Sequence, residues 1–344
     1  MLFAVGLAAG MLELAIRGRH YLSHGSIGPV LEFVTHEASE LPIPVPGRVV
    51  GSLEIDSRGF RSPELEVPKP EGRLRLAFLG GSTTFCAEAS STEAAWPTRV
   101  ANKLSETFPD ADIDFVNAGV SGYSIEKSAL NLEHRVASLE PDVIVIYHAT
   151  NDITKDTRKL AQEAGVYRGH GDAGSWIGRY SLAWALIEKN LLFKKRMRET
   201  KAGTERLTID SNTVALDFET RLTELVREAQ ELASLVVLPT FSYHVRREHD
   251  ADKRLAACNT SLFYMPYMTP DGCLEAFEAY NDAIRRVAGA TGALLVEGEH
   301  EIPGDKKHFN DSVHLIGPGH TKMARRVWTA LADEARFKAL AAGR

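Results

Sequence analysis

Asp311-Ser312-Val313-His314, near the C-terminus, sets an acid three residues before a base. Far earlier in the chain, Gly80-Gly81-Ser82-Thr83 closes an apolar run and offers a hydroxyl. A hydroxyl, an imidazole to take its proton and a carboxylate to orient the imidazolium are the three groups that serine ester hydrolysis needs. A three-residue spacing on one turn lets Asp311 reach the Nδ1 side of His314 and leaves Nε2 for Ser82. Each fragment also has a plainer reading. Ser82 could cap a helix, GGST could belong to a phosphate-cradling loop, and DxxH is most often a surface loop. No lysine follows the glycines, so the GxxxxGK[ST] phosphate pattern is missing. Zinc on His308, Asp311, His314 and His320 is a further alternative, but their spacing matches no usual ligand set.

Two more polar segments lie between these fragments. Asn117-Ala118-Gly119-Val120-Ser121-Gly122-Tyr123-Ser124 has glycines that suit a tight turn presenting a backbone N–H. His148-Ala149-Thr150-Asn151-Asp152 carries an Asn whose amide can aim at a developing oxyanion, or can simply stabilise a turn. Asp152 fits a loop-holding role better than a catalytic one. His244 and His249 have no identifiable partner in the sequence.

The elements that must position these groups are read from apolar runs. Leu74–Leu79, Ile113–Val116, Val143–Tyr147, Leu235–Leu238 and Ala293–Val296 read as strands. The third has no polar interruption, as expected for a strand covered on both faces. Helical spacing over 94–108, 124–139, 218–233, 274–290 and 318–342 alternates with them. Five strands alternating with helices predict an α/β fold with a mostly parallel, doubly wound sheet, whose ligands sit at the carboxyl ends of the strands. The polar segments all fall there. Two long insertions interrupt the core, roughly 153–212 and 241–272.

Bulk composition narrows the class. With 44% apolar and 25% charged residues the chain is globular rather than disordered. A net charge of −6 and a pI near 6.1 argue against the basic face that nucleic-acid binding requires. Three scattered cysteines, Cys86, Cys258 and Cys273, form neither a disulfide framework nor a zinc motif. Residues 1–20 open with the apolar run Leu2–Leu12, shorter than the roughly 20 residues a full span needs. They are expected to form a membrane anchor or its remnant, against the alternative of a docked helix. Arg17, Arg19 and His20 would keep the body cytoplasmic by the positive-inside rule, whereas a lipid or an O-acylated envelope glycan as substrate would place it toward the cell envelope. Residues 21–73, rich in Pro and Gly, read as an extended lead-in that packs on the domain or spaces it.

Taken in order, Ser82, Gly122, Asn151 and Asp311/His314 resemble the four blocks of the SGNH, or GDSL-type, serine hydrolases, over about 74–340. Asp56-Ser57-Arg58-Gly59-Phe60-Arg61 ahead of LGGSTT resembles a bacterial branch of that family with an N-terminal hydrophobic segment. The resemblance implies a flavodoxin-like sheet in a domain spanning 74–344. It implies Ser82 as nucleophile, His314 as base and Asp311 as its partner. The Ser82 N–H, the Gly122 N–H and the Asn151 amide would form the oxyanion hole, with no cofactor and no metal. Two departures stand out. Gly81 replaces the usual Asp of Gly-Asp-Ser without touching a catalytic role, and Ala149-Thr150-Asn151-Asp152 replaces Gly-x-Asn-Asp, which could narrow the acyl pocket.

The expected activity is hydrolysis of an acyl ester. Acyl transfer to a glycan by the same groups is one alternative, and a non-catalytic binding protein on the same fold is another. The expected substrates are a small acyl ester, a lipid or an O-acylated glycan. An amphipathic stretch at 176–198 (Trp184, Leu186, Ile187, Leu191, Leu192, Phe193, then Lys194, Lys195, Arg196 and Arg198) could pack on the core or face a membrane as a lid. Phe241, Tyr243, Phe263, Tyr264, Met265, Tyr267 and Met268 could line a pocket or pack locally.

Overall fold

The computed structural model describes residues 10–19, 34–35, 41–50, 53–167, 181, 183–184, 187–188, 190–191, 194 and 205–343. An N-terminal helix, α1 (10–19), precedes two short antiparallel ribbons, β1 (Val34–Thr35) with β2 (Ile43–Pro44) and β3 (Val49–Val50) with β4 (Leu53–Glu54). The core begins at β5 (Leu74–Gly80), α2 (Ser82–Phe85), α3 (Trp96–Thr107), β6 (Ile113–Asn117), α4 (Ile125–Asn131), β7 (Val143–Tyr147) and α5 (Thr150–Glu163). It continues with α6 (Leu216–Leu232), β8 (Leu235–Pro239), α7 (Ala251–Ala257), α8 (Asn259–Tyr264), α9 (Pro270–Thr291), β9 (Leu294–Val296), α10 (Gly317–Asp333) and α11 (Ala335–Ala342).

The five core strands pair in the order β6-β5-β7-β8-β9, all parallel. That is the flavodoxin-like order, and its switch point lies between β5 and β7, where a ligand site is expected. Every residue of β5, β7 and β8 is buried, because helices cover both faces. Helix α3 packs with α10, while α6 packs with α4, α5 and α9. Trp96 and Phe78 meet edge to face at 5.3 Å, and both are fully buried. Burying a side chain of that size stabilises the fold by roughly 1.5–3 kcal/mol.

Several sequence readings need correction. The helix expected over 124–139 is regular only as α4; it widens into a π-turn at Leu132–Val136 and tightens into a 3₁₀ turn at Ala137–Leu139. The last helix is two helices. Glu334 is extended (φ −70°, ψ 126°), and its carboxylate accepts the Arg336 N–H at the start of α11. Helix α9 starts at Pro270, earlier than expected, with Thr269 Oγ1 capping the Gly272 N–H. The stretch assigned to a first insertion opens with most of a core helix, α5. The lead-in packs on the domain: Tyr123 Oη donates to Pro42 O at 2.7 Å, and Arg135 lies over the Phe60 ring at 4.0 Å.

Among the described residues no helix is long and apolar enough to cross a membrane; Leu2–Ala9 lie outside them. Leu186, Leu192, Phe193, Lys195, Arg196 and Arg198 also lie outside them. Within that stretch Trp184, Ile187 and Leu191 are exposed, and Glu13 of α1 accepts the Ala183 N–H at 2.9 Å.

Candidate active site

Ser82 begins α2 directly after β5, at the carboxyl edge of the sheet. A one-turn helix leaves its carbonyls without partners of its own. Here side chains from other elements take them. Trp96 Nε1 donates to Thr83 O at 2.9 Å, and Asn117 Nδ2 donates to Thr84 O at 2.9 Å. The buried Arg61 guanidinium donates to Phe85 O at 2.8 Å and also to Cys86 O. Cys86 itself adopts a left-handed backbone (φ 61°), which ends the turn. Arg61 arrives through the Asp56 turn, where Asp56 Oδ1 accepts the Arg58 and Phe60 N–H groups at 2.9 and 2.7 Å. The position of Ser82 is therefore fixed by three distant side chains.

His314 and Asp311 come from the loop between β9 and α10. Asp311 Oδ1 accepts the Val313 and His314 N–H groups, both at 2.9 Å. Its Oδ2 accepts the His314 Nδ1–H at 2.8 Å. That fixes the tautomer, so Nε2 accepts the Ser82 hydroxyl at 2.7 Å. Burial pushes the Asp311 pKa up, but the His314 bond and charge and the two backbone N–H groups outweigh it, and the carboxyl sits below its ordinary value. Burial pushes His314 down, but Asp311 and Glu88 outweigh it, and the imidazole sits above its ordinary 6.5.

Gly122 and Asn151 converge on the same place. Gly122 has φ +82°, which glycine adopts at little cost, and its N–H has no acceptor among the described residues. Asn151 lies in the first turn of α5 and donates one amide hydrogen to Tyr123 O at 2.8 Å, leaving the second for a ligand. The family-pattern departure at residue 81 has a physical side. A Cβ built on Gly81 would stand 2.7 Å from Asn151 Nδ2 and 3.1 Å from Tyr123 O. Gly81 therefore makes room for the Asn151 amide, which qualifies the view that this position touches no catalytic role.

These groups open onto a cleft of about 350 Å³ that includes Ser82, Gly122, Thr150, Asn151, Tyr264 and His314. A larger groove of about 630 Å³, between α4 and α6, is rimmed by glutamates and contains no Ser, Cys or His. Of the second insertion's apolar residues, Tyr264 lines the cleft. Phe241, Tyr243, Met265, Tyr267 and Met268 are buried in the core.

His244, which the sequence left without a partner, holds the catalytic-loop candidate in place. Its Nδ1 lies 3.0 Å from Asp311 O, its backbone N–H donates to Ser312 O at 2.9 Å, and its ring stacks on Phe309 at 5.5 Å. His308 pairs with Asp305 at 2.7 Å, and His320 is buried. No three His, Cys, Asp or Glu side chains converge on a metal position among the described residues.

A second Ser–His–Asp set lies beneath the site. Ser128 Oγ is 2.8 Å from His148 Nε2, and His148 Nδ1 is 3.6 Å from Asp152 Oδ2. All three residues are buried. Asp152 Oδ1 accepts the Ile125 N–H at 3.1 Å and so caps α4 from another helix, since Ser124 makes no side-chain cap. Burial drives the His148 pKa down to about 3 and the Asp152 pKa up to about 7.

The model of the GDSL-like lipase/acylhydrolase family matches residues 78–322. Among solved structures, an acetylxylan esterase from Geobacillus stearothermophilus aligns with a TM-score of 0.46 and 18% identity, covering 76% of this chain and 95% of that one. An alpha/beta hydrolase enzyme from the metagenome of Lake Arreo, Spain, aligns with a TM-score of 0.45 and 17% identity, covering 75% and 94%. The curated proteins contain no match.

Proposed function

The chain belongs to the GDSL-like lipase/acylhydrolase family and is a carboxylic ester hydrolase, and on that premise we propose that Ser82, His314 and Asp311 carry out the hydrolysis. The observation that carries this reading is the continuous hydrogen-bonded line from Ser82 Oγ through His314 to Asp311, with bonds of 2.7 and 2.8 Å. Its open end faces the cleft.

Ser82 Oγ attacks the ester carbonyl carbon while His314 Nε2 takes its proton. The negative charge that forms on the carbonyl oxygen is met by the Ser82 N–H, the Gly122 N–H and the free amide hydrogen of Asn151. Donors fixed before the reaction cost no reorganisation as that charge develops. The tetrahedral adduct collapses, the C–O bond to the alcohol breaks, and the Nε2 proton passes to the departing alkoxide. Water then gives its proton to His314, attacks the acyl-serine, and the carboxylic acid leaves as the proton returns to Ser82. Asp311 stays ionised and holds the imidazolium. A cleft of about 350 Å³ suits a small acyl group on a compact alcohol.

Hydrolysis of p-nitrophenyl acetate and butyrate by wild type and Ser82→Ala tests the assignment. The substitution should lower kcat/KM by at least ~10³-fold. A variant with wild-type activity would remove Ser82 from the mechanism.

A further inference from the structure

One carboxylate in this cleft has no role in the mechanism above. Glu88 lies just beyond the nucleophile turn, and its Oε1 stands 4.0 Å from His314 Nδ1, on the side that Asp311 also occupies. Only a quarter of its side chain is exposed, so it is neither a surface charge nor a buried structural one. The segment that carries it is pinned on both sides. Arg61 donates to Cys86 O before it and, at 3.2 Å, to Ser91 O after it. The backbone that carries Glu88 is therefore held, with the Arg61 guanidinium near enough to act on its charge.

Among the described residues, no lysine or arginine lines the cleft to balance this charge on the substrate side. Around Ser82 the lining is hydroxyl-bearing, from Ser121, Thr150, Thr154, Thr260 and Tyr264. A partly desolvated carboxylate disfavours a second anion at short range, and such like-charge contacts discriminate between ligands more than they add affinity. The same charge favours imidazolium at His314.

We propose that Glu88 is a second carboxylate of the site, which acts on His314 alongside Asp311 and turns away anionic esters in favour of uncharged ones. This rests on the assignment of Ser82 and His314. It makes Glu88 a positioning and specificity residue, since it reaches the reacting atoms only through His314 or through the substrate's charge.

The groups that set the titration of His314 are Asp311 and Glu88, with Arg61 facing Glu88 from the lead-in. Removing the Glu88 charge should therefore move the acid limb of kcat/KM to lower pH, by about half a unit to one unit. The experiment compares wild type, Glu88→Gln, Glu88→Asp, Asp311→Ala and the Asp311→Ala/Glu88→Gln double variant. The probes are p-nitrophenyl acetate and the anionic 4-acetoxybenzoate. Glu88→Gln should shift the acid limb down and reduce the neutral-over-anionic preference about tenfold. Glu88→Asp should restore both toward wild type. The double variant should fall about a further tenfold below Asp311→Ala, because Glu88 is then the one carboxylate left beside Nδ1. An acid limb and a preference both unchanged in Glu88→Gln would overturn the proposal, as would a double variant equal to Asp311→Ala. Loss of the Ser82 assignment would show separately, as Ser82→Ala retaining activity on p-nitrophenyl acetate.

Discussion

The molecule holds the same three side chains twice, and only one set faces a cleft. Ser82–His314–Asp311 and Ser128–His148–Asp152 each join a hydroxyl to Nε2 and set a carboxylate beside Nδ1. Their titrations run in opposite directions. In the cleft the imidazole is raised and the carboxyl lowered; in the core the imidazole falls to about 3 and the carboxyl rises to about 7. The difference lies in who pays for desolvation. Asp311 accepts two backbone N–H groups and the Nδ1–H, so its charge is held. Asp152 has one backbone donor at Oδ1, and its Oδ2 has no hydrogen-bond partner. A relay of this composition is thus a base only where the carboxylate stays ionised and a substrate can arrive. In the core the imidazole stays neutral and the set becomes a strut beneath α4 and α5.

Four substitutions sharpen or break that contrast. The largest effect should separate the two carboxylates in turnover. Asp311→Asn should cut kcat by about 10⁴-fold, through the wrong imidazole tautomer, while Asp152→Asn should stay within about tenfold of wild type. Equal losses on p-nitrophenyl acetate would mean that both sets serve the reaction. Next, Ser128→Ala should leave His148 Nε2 buried without a partner and lower stability by about 1–3 kcal/mol in urea unfolding. Ser82→Ala, at a cleft open to water, should lower it by less. The reverse ranking would sink the strut reading.

The smallest effect is one of pH. The folded-state pKa of Asp152, near 7, lies above its ordinary 3.8, so the native state keeps a proton that the unfolded chain releases. The stability this brings is whole at pH values below 3.8 and is lost as pH rises through about 7. Asp152→Asn has no charge to bury. Thermal unfolding should therefore show the variant gaining on wild type as pH rises across that window, and a difference independent of pH would contradict the raised pKa.

The sheet was legible because each strand is a short, mainly apolar run, and the candidate positions Ser82, Gly122 and Asn151 were legible because each follows such a run. Asp311 and His314 were legible from their own spacing and from the family resemblance. Helix α5 was not, and its buried face explains why. That face is Asp152, Ile153, Asp156, Thr157 and Ala161, where Asp156 accepts from Arg221 and Tyr280 at 2.7 Å each. A polar stripe satisfied by distant partners leaves no hydrophobic period to read. The residues that seat the nucleophile turn were hidden for the same reason. Trp96 and Asn117 act through one hydrogen bond each to a carbonyl of that turn, and only the folded chain shows which carbonyls lack a partner. Arg61 had a partial signal, since it lies in the Asp56–Arg61 stretch that resembles the family's lead-in. His244 had none, because its contact is to the backbone of Asp311.

The close approach of Gly81 to the Asn151 amide ties two positions that any comparison of relatives would treat as separate columns. A larger residue at 81 is not forbidden by the backbone, whose φ of −89° suits any side chain. It would press on the far end of Asn151 and on the Tyr123 carbonyl, and so be felt in turnover. In this structure an acidic residue at 81 would fit only after the Asn151 amide had shifted, so the two positions behave as one.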